Sequence, residues 1–75
     1  MKGLTQKELN NELLSFIMRC DTSLVVIDGD YIIKYNQVEL LEWLSRMKFH
    51  IVEMLGDGFV IKDVDTDFIY IIEYL

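Results

Sequence analysis

Seventy-five residues make one small domain, in which folding removes only about 60% of the unfolded chain's surface from water, so the core has to be economical. A hydrophobic fraction of 52%, with 12% aromatic, excludes a disordered acidic chain, and four glycines with no proline leave no stretch that reads as a linker, repeat or low-complexity segment. Thirteen acidic against seven basic residues give a net charge of −6, a field that repels phosphate and anionic lipid and attracts basic partners, so direct binding to nucleic acid or to a membrane surface is not expected.

The first element opens at Thr5-Gln6-Lys7-Glu8, where the Thr5 hydroxyl and the Glu8 carboxylate are spaced to form a capping box. Leu9, Leu13, Phe16, Ile17 and Cys20 follow as one helical stripe. Acids and amides stand where a signal peptide would need an apolar run, and a single cysteine excludes an internal disulfide; both features predict a soluble protein of the cytoplasm. Next, Leu24 to Ile27 and Tyr31 to Tyr35 are β-branched or aromatic runs around Asp28-Gly29-Asp30, in which Gly29 can supply the positive φ of a tight hairpin turn.

Asn36 with Glu39 repeats the capping logic, and Leu40, Leu41, Trp43, Leu44 and Met47 form the apolar face of a second helix. Residues 49 to 55 admit two readings. The helical period of Leu44, Met47, Ile51, Met54 and Leu55 would carry this helix to about residue 55 and leave two hairpins; Phe49, Ile51, Val52 and the following Gly-Asp-Gly favour a strand and a hairpin into 59 to 64, and the strand is preferred. A strand over 68 to 74 completes a meander. The fold class is therefore α+β, two helices packed on a small antiparallel sheet in the order α-β-β-α-β-β-β.

The last strand is apolar on both faces, Phe68, Tyr70, Ile72 and Tyr74 on one and Ile69, Ile71 and Leu75 on the other. As the final element it is expected at a sheet edge, where Ile69, Tyr70, Ile71, Ile72 and Tyr74 would pair with a copy of themselves as a homodimer, or with another chain. Helices on opposite faces of the sheet would instead cover both sides of this strand and leave a monomer.

Asp63, Asp65 and Asp67 alternate like the first ligands of a calcium loop, but the glycine and the bidentate Glu such a loop requires are replaced by Phe68 and Tyr74, so a hairpin tip is the better reading and no metal site is assigned. His50, placed with Val52 and Met54 on one strand face, and Cys20, on the buried stripe, do not read as a nucleophilic pair; no spacing fits zinc; and Gly-Asp-Gly-Phe at 56 to 59 lacks the helix and further glycines of a phosphate loop. No cofactor and no enzymatic chemistry follow. Acids gather instead at all three tips: Asp28 and Asp30, Asp57, and Asp63, Asp65 and Asp67. The expectation is a small acidic protein–protein interaction module, a regulator or inhibitor that presents carboxylates where phosphates would lie on a basic, nucleic-acid-handling partner. Compact phage and mobile-element inhibitors offer an analogy of size and charge. The alternative is a small-ligand or divalent-cation module using the same tips.

Overall fold

The computed structural model describes residues 3–20 and 23–75. Its elements run α1 (Gln6–Met18), β1 (Leu24–Asp28), β2 (Tyr31–Tyr35), α2 (Gln37–Ser45), β3 (Phe49–Met54), β4 (Gly58–Asp63) and β5 (Ile69–Tyr74), an α+β fold in the expected order. Both helices begin at reciprocal capping boxes: the Thr5 and Asn36 side chains accept the amides of Glu8 and Glu39, whose carboxylates accept from the cap amides. The Glu8 carboxylate accepts from both the Thr5 amide and the Thr5 hydroxyl, and these bonds, the amide first, hold its carboxyl below its ordinary pKa.

The five strands form one antiparallel sheet in the order β2-β1-β5-β4-β3. The expectation that the last strand lies at an edge is thus corrected: β5 is the central strand, paired to β1 on one side and β4 on the other. Its backbone groups are paired to β1 and β4, while of its two apolar faces one, with Tyr70, Ile72 and Tyr74, meets the core and the other, with Ile69 and Ile71, lies on the open side of the sheet.

Both helices lie on the same face. Register aligns Val26, Ile72 and Phe59 in one cross-strand row, and these residues, with Leu24, Ile51 and Ile61, form a single buried cluster with Leu13, Phe16 and Ile17 of α1 and Leu40 and Leu44 of α2. Phe16 stacks on Tyr74 at 4.1 Å and meets Phe59 edge-on at 5.2 Å, while the Tyr74 hydroxyl donates to the Phe16 carbonyl at 2.9 Å. Aromatic pairing of this kind adds about 0.5–1.5 kcal/mol to the area buried, so it ties the last strand firmly to the first helix. Among the described residues no helix lies over the opposite face of the sheet. There Ile32, Ile27, Ile71 and Val60 form a row across four strands, with Ile32 69% exposed.

Two glutamines join elements far apart in the chain. The Gln37 amide nitrogen lies 3.0, 3.2 and 2.7 Å from the carbonyls of Ile17, Met18 and Cys20, where α1 ends and its last carbonyls have no intrahelical donors. The Gln6 carboxamide faces the outer side of β3, accepting from the Ile51 amide at 3.0 Å and donating to the Ile51 carbonyl at 2.9 Å. A bulge between Ile51 and Glu53 then shifts the register, so Met54 pairs with Phe59 on the helix side and does not share the face of His50. Gly58 admits no side chain, since a Cβ there would run into the Ile72 carbonyl oxygen of the neighbouring strand.

Candidate protein-binding surface

The hairpin turns distribute the acids unevenly. Gly29, at φ 58° with Asp30 outside the left-handed region, gives the β1–β2 connection a type II′ pattern. Because β1 and β5 run antiparallel, this turn lies at the same end of the sheet as the β4–β5 turn, whereas the β3–β4 turn lies at the other. Asp28, Asp30, Asp63, Asp65 and Asp67 are therefore brought to one end, and Asp57 is left at the opposite end.

Within the β4–β5 turn the carboxylates have distinct local tasks. Asp63 Oδ1 accepts the Asp65 amide at 2.9 Å, an Asx turn, and the Asp67 amide donates to the Asp63 carbonyl at 2.8 Å. Asp67 itself takes a left-handed φ of 63°, which Asp tolerates better than most residues, and its carboxylate lies 3.2 Å from Lys62 Nζ. The acids alternate in sequence but do not converge; among the described residues no three His, Cys, Asp or Glu side chains gather to hold a metal ion.

A run of aromatic side chains on the helix side leads from Tyr35, at the far end of β2, toward the acidic end at Tyr70. Tyr35 stacks on Trp43 at 5.9 Å, and Trp43 meets Tyr70 edge-on at 5.0 Å. Partial burial first, then the nearby charges of Asp28 and Asp63, push the Tyr70 phenol above its ordinary pKa, because both disfavour a second anion there. Tyr31 and Phe68, one from each turn, are 73% and 58% exposed. The resulting surface combines carboxylates with large accessible rings, the residue types that meet Arg and Lys at interfaces through charge and cation–π contact.

The other residues singled out in the sequence are dispersed. Ile72 is wholly buried, Tyr70 and Tyr74 face the helices, and Ile69 and Ile71 look onto the open face, so these five do not make one edge surface. Cys20 is buried in the core and His50 is exposed on the open face of β3. A groove of 280 Å³ between the helices is lined chiefly by leucines, with Asn10 and Ser45 as its polar members, and carries no group for proton transfer. Sequence reasoning missed the union of the two acidic turns, which only the position of β5 reveals, and the contrast between the two sheet edges, which rests on the Gln6–Ile51 bonds across 45 residues. No helix among the described residues is long and apolar enough to cross a membrane. The chain matches no family model, and comparison with curated proteins and with solved structures finds no match.

Proposed function

We propose that this chain is a non-enzymatic regulator or inhibitor that works in the cytoplasm by engaging a basic protein partner through its acidic end. The observation that carries the reading is the placement of five aspartates from two separate turns at one end of the sheet, beside exposed Tyr31 and Phe68. Carboxylates at a convex tip raise the rate of encounter with a cationic groove and imitate the phosphates such a groove accepts; the rings supply the desolvated anchors that hold a complex together. Lys62 is paired to Asp67, and Lys48 adjoins the turn through its carbonyl, which accepts the Val64 amide at 2.8 Å; two lysines leave this end net negative.

The test is capture from a lysate of the source cell on the immobilised chain, beside a variant carrying Asp63→Asn, Asp65→Asn and Asp67→Asn. A basic protein held by the natural sequence, displaced by duplex DNA and by salt and lost by the variant is the expected result. Retention indifferent to the variant and to DNA would overturn the reading.

A further inference from the structure

The two edges of the sheet are finished differently. On β3 the chain supplies its own cover, since the Gln6 carboxamide takes both outward groups of Ile51 and a bulge breaks the strand two residues on. On β2 the hairpin sets the bonding parity. Asp28 and Tyr31 close the turn as a bonded pair, so Tyr31, Ile33 and Tyr35 bond inward to β1, while the amides and carbonyls of Ile32 and Lys34 point away from the sheet. Tyr31, Ile32 and Ile33 are 73%, 69% and 42% exposed on this strand. A free edge with apolar side chains on both faces is a template for another strand.

We propose that β2 pairs antiparallel with β2 of a second copy of this chain about a two-fold axis at Ile32, joining two five-stranded sheets edge to edge. The outward groups belong to alternate residues, so the axis has to pass through Ile32, Ile33 or Lys34. An axis at Lys34 sets two ammonium groups face to face. An axis at Ile33 sets each Ile32 opposite a lysine. An axis at Ile32 sets Ile32 against its own copy, Tyr31 against Ile33, and Asp30 against Lys34 twice over, since Asp30 and Lys34 stand two residues to either side of the axis. The stretch Asp30-Tyr31-Ile32-Ile33-Lys34 is thus complementary to itself when reversed, which singles out a second copy from other extended chains. A lysine on an edge strand ordinarily discourages pairing; here its opposite number is an aspartate. A two-fold axis normal to the sheet also keeps both copies' helices on one side and lengthens the apolar row Ile32–Ile27–Ile71–Val60 through the junction.

This inference does not depend on the basic partner: it shares Asp30 and Tyr31 with the acidic end, but it is read from the mass and cross-linking of the chain by itself, with no partner present. An interface of one strand pair is at the small end of specific contacts, so association is expected at high micromolar concentrations. Light scattering of the full chain should show the mass rising from 8.9 kDa toward twice that value with concentration. Lys34→Asp and Asp30→Lys should each raise the dimer midpoint about tenfold, the equivalent of two lost charge pairs, and the double variant should return it toward the original. Independently of those variants, oxidation of Ile32→Cys should give a disulfide-linked dimer at the two-fold axis, where opposed Cα atoms are close enough for the bond, and Ile33→Cys should not. The natural chain, whose Cys20 is buried, is the control. A mass that stays monomeric, a dimer indifferent to both charge reversals, or cross-linking at position 33 in place of 32 would overturn the proposal.

Discussion

At the scale of single residues, Tyr70 links the acidic end to the stability of the fold. Its phenol is held above its ordinary pKa by partial burial and by the charges of Asp28 and Asp63. In the window between about pH 10 and the raised folded value, the unfolded state releases this proton more readily than the folded one. The contribution is therefore complete below about pH 10 and is lost as pH rises through that window. Urea midpoints recorded across this range should fall with pH, and the fall should be shallower in Tyr70→Phe, which has no proton to lose; parallel curves would contradict the assignment. The caps at Thr5 and Asn36 were legible in the sequence because their partners are three residues away. Gln6 and Gln37 were not, because their partners are separated by 45 and by 17 to 20 residues, and an amide side chain gives no local sign of which distant backbone it will meet.

At the scale of elements, the hairpins, the helix faces and the choice of strand over helix for 49 to 54 all followed from local pattern. The position of β5 did not, and the reason is physical: strand order is fixed by pairings between segments distant in sequence, which alternation within one strand does not encode. The two-sided apolar pattern of Phe68 to Leu75 points to a strand with more apolar surface than one covered face needs, but it carries no information on whether that strand lies at an edge or at the centre. The true edges carry their own signatures. On β3, Gln6→Ala would leave the Ile51 amide and carbonyl to solvent or unpaired beneath α1, and is expected to lower stability by about 1–2 kcal/mol. Gln6→Glu keeps only the accepting half and sets a carboxylate against the Ile51 carbonyl, so it should not restore the loss. Denaturant midpoints equal to that of the natural chain in both variants would show that Gln6 does not hold this edge.

For the whole molecule, the uneven placement of charge separates binding from stability. Neutralising Asp63, Asp65 and Asp67 together should slow association with a basic partner and flatten its dependence on salt, with dissociation less affected. The fold should persist within about 1 kcal/mol, because the Lys62–Asp67 pair is largely exposed and an asparagine at 63 can still accept the Asp65 amide. Stopped-flow rates at low and high salt, with thermal unfolding of the same samples, check both halves of this expectation; unchanged rates would remove the acidic end from the encounter. The central place of β5 has a further bearing on how the molecule comes into being. In chain order both flanking hairpins are complete before the strand that unites them, so a growing polypeptide holds two separate ribbons, each too small to be stable alone, until residues 69 to 74 arrive and slot between them. Assembly of the sheet is then a single closing event that waits for β5, and a break within residues 69 to 74 would cost the molecule its sheet and not merely one strand.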